Sequence, residues 1–125
     1  MLEIEIEENK EDNSDFVQNL FNRDYENKIC VHCKAAMPSF VSINNAIIIC
    51  EECAEEHKKL GFNISYVREL RDKWDPYLSC FLERGGNSRF IRFSKKYDLD
   101  DMPIEKKFRT SILQYYRLLV NKIYN

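Results

Sequence analysis

Apolar residues along this chain recur with helical spacing in some stretches and with strand-like spacing in others. Behind Asp15, the residues Phe16, Val17, Leu20 and Phe21 fall at intervals of three and four, which predicts a short amphipathic helix with Asp15 as its N-cap. Two β-prone runs follow, Phe40 to Ile43 and Ala46 to Ile49, around Asn44 and Asn45. Asparagine tolerates left-handed backbone, so the pair reads as the turn of a hairpin. The segment "EECAEEHKKLG" predicts a helix ended by Gly61, and "NISYVREL" a third strand. Trp74, Tyr77, Leu78, Phe81 and Leu82 share one face of a further helix before a Gly-Gly-Asn stop. Ile104, Phe108, Ile112, Tyr116, Leu119, Val120 and Ile123 keep the helical spacing and predict one long C-terminal amphipathic helix. Residues 1–14 alternate acid and aliphatic and then turn polar, as an acidic tail or a short edge strand would.

The 125 residues, 44% hydrophobic, hold enough apolar mass for one compact domain, expected over residues 15–125 and mostly helical, of the α+β class. No apolar run reaches the roughly 18 residues that a membrane span needs, and the acidic start is unlike a secretory signal. A cytoplasmic protein is expected, and the reducing cytosol argues against a disulfide framework. Charge is uneven. Residues 1–54 carry four Lys/Arg against 11 Asp/Glu, and residues 55–125 carry 15 against 10. Arg84, Arg89, Arg92, Lys95 and Lys96 lie in an acid-free stretch that either attracts an anionic surface or forms an ordinary solvated face.

Four of the five cysteines form two Cys-x-x-Cys pairs, Cys30 with Cys33 and Cys50 with Cys53. Each tight turn can direct two thiolates to one point, and the predicted hairpin brings the pairs together, the pattern of one tetrahedral Zn²⁺. Four thiolates leave no open position, so the zinc is expected to be structural. A redox dithiol would need one pair in a thioredoxin-like strand–helix setting, which is missing. His32 and His57 are the alternative ligands nearby. Cys80, alone in a predicted helix, reads as a small hydrophobe or a free thiol.

With Asn27 and Lys28 before the first pair, "PSFVSINNAIIIC" between the pairs, "HKKLGFNISYVREL" after them and "DKWDPYLSCFLERGGNSRF" further on, the chain resembles the Arf GTPase-activating (ArfGAP) domain family from about Phe16 to Tyr124. The resemblance implies a three-stranded sheet and zinc finger surrounded by helices. It also implies a monomer acting on the GTP form of an Arf-type small GTPase near Golgi or vesicle membranes. Such a domain is an activator, since the GTPase performs the hydrolysis. The family's characteristic residue is an arginine five positions after the last zinc cysteine, whose planar guanidinium donates two hydrogen bonds to the charge growing on the transferring phosphoryl group.

Here that position holds Lys58, which keeps the charge and lacks the fork. Phe40 stands in place of the usual Trp, Ala46 in place of Gly, and Ala54-Glu55 in place of Ser-Gly. Two readings follow from the resemblance. One is an activator that works through Lys58, weakly; the other is a pseudo-activator that binds the GTPase as a scaffold. The expected GTPase-binding surface comprises Phe40, Ile47, Lys58, Leu60 and Arg68. A nucleic-acid-binding finger is the third class, disfavoured because Glu51, Glu52, Glu55 and Glu56 crowd the helix that would meet a phosphate backbone.

Overall fold

In the computed structural model, which describes residues 14–73 and 76–124, six helices enclose a three-stranded antiparallel sheet. Helix α1 (Ser14–Arg23) leads through a 3-10 turn (Tyr25–Lys28) into the first cysteine pair. Strands β1 (Phe40–Ser42) and β2 (Ile47–Ile49) flank the second 3-10 turn (Ile43–Asn45), and helix α2 (Glu51–Lys58) follows the second pair. Strand β3 (Val67–Glu69), α3 (Pro76–Arg84), α4 (Asn87–Lys96), α5 (Ile104–Lys107) and α6 (Ser111–Tyr124) complete the order. The fold is the expected one. The sheet order β2-β1-β3 puts β1 in the centre, paired with Ile49, Ile48 and Ile47 on one side and with Glu69, Arg68 and Val67 on the other.

The predicted tail or edge strand over the first residues and the predicted packing of Trp74, Tyr77 and Leu78 lie outside the described residues and side chains. Helix α1 starts at Ser14, so Asp15 sits in the first turn and not at the cap, where its charge still favours the helix dipole. The hairpin turn is also different. Neither asparagine is the left-handed residue; Ala46 is, at φ +56. Asn44 and Asn45 instead hold the loop before β3. Asn44 accepts from the Tyr66 amide at 2.9 Å, and Asn45 donates to the Ile64 carbonyl at 2.9 Å.

The long C-terminal helix is broken into α5 and α6. The Thr110 hydroxyl donates to the Lys107 carbonyl at 2.8 Å and accepts from the Leu113 amide at 3.2 Å, so one side chain closes α5 and caps α6. Phe108 can then turn into an aromatic cluster with Phe90 and Tyr116. Helix α4 is an element that the charge-run reading of residues 84–96 overlooked. Its inner face carries Asn87, Phe90 and Ser94, all buried, and its outer face Arg92, Lys95 and Lys96.

Asn87 and Asn27 join distant parts of this frame. Asn87 is fully buried; its Oδ1 accepts from the Ile48 amide at 2.8 Å, and its Nδ2 faces the carbonyls of Ile29 at 2.9 Å and of Glu26 and Ile48 at 3.1 Å. The Asn87 amide donates to Asn27 Oδ1 at 2.9 Å. One side chain therefore ties α4 to β2 and to the approach to the first cysteine pair. Gly85 makes the crossing possible, because a Cβ there would stand 2.4 Å from the Ala46 Cβ.

Candidate metal centre and the helix it anchors

The two cysteine pairs converge as their spacing predicts. The first turn is closed by the Cys30 amide donating to the Ala35 carbonyl at 2.8 Å and the Lys34 amide to the Cys30 carbonyl at 3.0 Å, with Lys34 at φ +69. Cys50 is the N-cap of α2, its Sγ accepting from the Cys53 amide at 3.5 Å. The four Sγ atoms lie within 4.8 Å of one another, and Cys33 and Cys50 are 3.5 Å apart. Tetrahedral zinc with bonds of about 2.3 Å needs sulfurs about 3.8 Å apart. The donor set fits.

Its electrostatics fit too. Burial, and then the nearby charge of Cys30, push the Cys53 thiol up, whereas hydrogen bonding outweighs burial at Cys50 and lowers it. Four sulfurs so crowded cannot all be thiolates without a cation among them. Cys30, Cys33, Cys50 and Cys53 would hold zinc, which when bound supplies a rigid cross-link and no open coordination position.

The two histidines turn away from the sulfurs toward each other. His32 Nε2 and His57 Nε2 are 2.9 Å apart with the rings stacked, so one nitrogen donates and the other accepts. His57, 0% exposed, meets the Ser65 hydroxyl at 2.7 Å through Nδ1, and Ser65 meets the Ser42 hydroxyl at 2.6 Å. Burial, followed by the charge of Lys107, holds the His57 imidazole down at about 4, and burial, followed by His57, lowers His32. Both shifts favour the neutral rings, and the contact requires that at least one of the two Nε2 atoms be unprotonated. Sequence reasoning missed this pair. An apolar helix face interrupted by a histidine beside the finger was the available signal.

Helix α2 is thus pinned at both ends, by Cys50 and Cys53 at its start and by His57 in its last turn. Lys58 stands beside that last anchor, half exposed. Its Nζ lies 3.2 Å from Glu55 Oε2 and 5.5 Å from the centre of the Phe40 ring. The other expected surface residues divide. Ile47 is 0% and Leu60 5% exposed, so both belong to the core beneath the surface and not to the surface itself. The register sets Arg68 opposite Val41, and Phe40 opposite Glu69, so Arg68 and Phe40 point to different faces of the sheet. The Arg68 guanidinium donates to the Tyr66 hydroxyl and to Asp72 Oδ2, each at 2.9 Å. In the basic stretch, Arg84, Arg92, Lys95 and Lys96 are exposed, and half-buried Arg89 donates to the Arg84 carbonyl at 3.3 Å.

The profile of the protein family described as "Putative GTPase activating protein for Arf" matches residues 14–122. The chain belongs to the ArfGAP family. It is similar to ADP-ribosylation factor GTPase-activating protein 3 of Bos taurus, 30% identical over 93 residues that make up 73% of this chain and 18% of that protein. It is 31% identical over 93 residues to ADP-ribosylation factor GTPase-activating protein GCS1 of Saccharomyces cerevisiae, covering 73% of this chain and 26% of the yeast protein. This ArfGAP chain therefore spans about a fifth to a quarter of the curated relatives it matches. The crystal structure titled "putative GTPase activating protein for ADP ribosylation factor" from Cryptosporidium parvum superposes with a TM-score of 0.78 at 24% identity, over 90% of this chain and 94% of that one. At that identity it supports the ArfGAP fold alone.

Proposed function

We propose that this ArfGAP domain binds the GTP form of an Arf-type GTPase and accelerates its hydrolysis weakly through Lys58. The names of its relatives supply the partner class, and the pinning of α2 at both ends is the observation that carries the residue assignment. A side chain meant to enter another protein's active site must be held in place before the encounter, or ordering it there offsets what it stabilises. Lys58 follows the anchored His57 in the last turn of α2, and Phe40 provides an apolar platform beside it.

Lysine limits the rate in two ways. An ammonium is a compact, strongly hydrated donor that cannot make the paired hydrogen bonds of a guanidinium. Lys58 also faces Glu55, so approach to a phosphoryl group requires breaking that ion pair next to a second negative charge. Glu55 is the specific observation that favours the second reading, a domain that recognises the GTPase and hardly activates it. Phe40 and Lys58 form the proposed contact surface, with Ile47 and Leu60 packed under it. The exposed Arg92, Lys95 and Lys96 on α4 are proposed to face an anionic membrane.

Single-turnover hydrolysis by a GTP-loaded Arf-type GTPase tests this reading with the native chain, Lys58→Arg and Lys58→Ala. The native chain is expected to accelerate hydrolysis, alanine to remove most of the gain, and arginine to raise it by about tenfold or more, within the 10³ to 10⁵ that an arginine finger contributes. Binding without acceleration, and no gain from arginine, would establish the recognition reading. Absence of binding would overturn both.

A further inference from the structure

A cavity of about 380 Å³ lies between the first cysteine turn, α4 and α5, away from Lys58. Three lysines line it, Lys34 from the cysteine turn, Lys95 from α4 and Lys107 from α5. Lys107 is the unusual one. It is 6% exposed, yet among the described residues its ammonium has no hydrogen bond and no carboxylate within ion-pair distance. Its stem is packed among protein atoms while its ammonium has no protein acceptor, so the hydrogen bonds of that ammonium go to whatever fills the space in front of it. The Tyr116 hydroxyl is the one sealed, unpartnered polar side-chain atom among the described residues, so the Lys107 ammonium keeps access to solvent, and this cavity is the space its side chain lines.

The remaining lining defines the ligand. Asp100, which accepts from the Ser94 hydroxyl at 2.8 Å, and Glu26 also border the cavity, and the charges of Asp100 and Asp101 partly balance the lysines without an ion pair to Lys107. Phe90 and Ile91 give one apolar wall. The volume suits a molecule of sugar size, since small-ligand sites run from roughly 300 Å³ upward. Lys95 also belongs to the exposed basic face of α4, which makes the cavity continuous with an electropositive surface.

We infer that this cavity binds a phosphorylated polyol, either free or as the headgroup of an anionic lipid, with Lys107 as the buried anchor and Lys34 and Lys95 at the rim. Burial lowers the affinity of Lys107 for its proton more than the charges of Asp100 and Asp101 raise it, and the charge of an incoming phosphate would favour the ammonium further. The assignment does not rest on GTPase activation, because none of these residues belongs to the surface around Lys58. Bound ligand would bridge the cysteine turn to α4 and α5, and so stabilise the finger by mass action.

Isothermal titration of the zinc-loaded 125-residue chain with inositol trisphosphate tests the inference, beside flotation with two vesicles. One is phosphatidylcholine carrying phosphatidylinositol bisphosphate, the other phosphatidylcholine with phosphatidylserine at matched charge. One-to-one saturable binding of inositol trisphosphate is expected, weakened at least about tenfold by Lys107→Met and unchanged by Lys59→Gln, an exposed lysine just beyond α2. Should Lys107→Met fail to melt like the native chain, Lys34→Gln carries the same expectation, and Asp100→Asn is expected to tighten binding. Capture by the bisphosphate vesicles as well assigns a lipid headgroup; binding of the free compound alone assigns a soluble ligand. No saturable binding at millimolar concentrations overturns the inference, as does equal binding to both vesicles without affinity for inositol trisphosphate. Equal loss in Lys59→Gln and Lys107→Met does so too, since it marks diffuse surface attraction.

Discussion

Single residues in this molecule show how much burial decides. Tyr116 packs its ring against Phe90 and Phe93, but its hydroxyl is sealed without a partner, and burial pushes its ionisation up to about 12. A hydroxyl in that state contributes a desolvation cost and no hydrogen bond. Tyr116→Phe is therefore expected to stabilise the fold by about 1 kcal/mol, measured as a higher denaturant midpoint at unchanged slope; a loss would mean that the hydroxyl has a partner. The same dependence on burial limited what could be read beforehand. The cysteines were legible, because a two-residue gap repeated twice constrains sulfur positions whatever surrounds them. Ile47 and Leu60 were not, because surface and core use of an aliphatic side chain look alike in one dimension. The buried roles of His57, weighed only as an alternative zinc ligand, and of Asn87, taken as part of a helix stop, were hidden for the converse reason, since polar residues enter a core only through partners that are distant in sequence.

At the level of elements, helices α1 and α2 and the three strands followed from spacing, and the errors occurred where one side chain serves two segments. Phe108 preserved the helical period across the junction of α5 and α6, so the break capped by Thr110 was invisible. Helix α4 was hidden by its own outer charges. The crossing of α3 into α4 over the 3-10 turn depends on closeness of backbone. Adding a methyl group at Gly85 would drive it into the Ala46 Cβ and to 3.2 Å from the carbonyls of Ala46 and Phe81. Ala46 cannot easily yield, being fully buried in left-handed conformation. Gly85→Ala should lower stability by about 1–3 kcal/mol, seen as a fall in thermal midpoint; an unshifted midpoint would show that the crossing can relax.

For the whole molecule, the four sulfurs and the core are one structure. Zinc binding in small finger peptides provides about 10–16 kcal/mol of apparent free energy, as much as the roughly 5–15 kcal/mol that holds an entire domain together. Strong chelation is expected to abolish the cooperative melt and most of the helical circular dichroism. A melt indifferent to chelator would mean that the helices stand without the metal. Asn87 carries this unity further. Its hydrogen bonds join residues 39 to 61 positions apart, so the approach to the first cysteine turn is completed only when α4 arrives. Each such closure costs chain entropy before it is rewarded. Finger peptides that fold by themselves have local contacts; here the contacts that complete the knuckle include a segment made later by the ribosome. A nascent chain stopped before residue 87 would hold its four thiols in a loose, exchangeable cluster, and firm retention of the ion would begin only once α4 had left the exit tunnel.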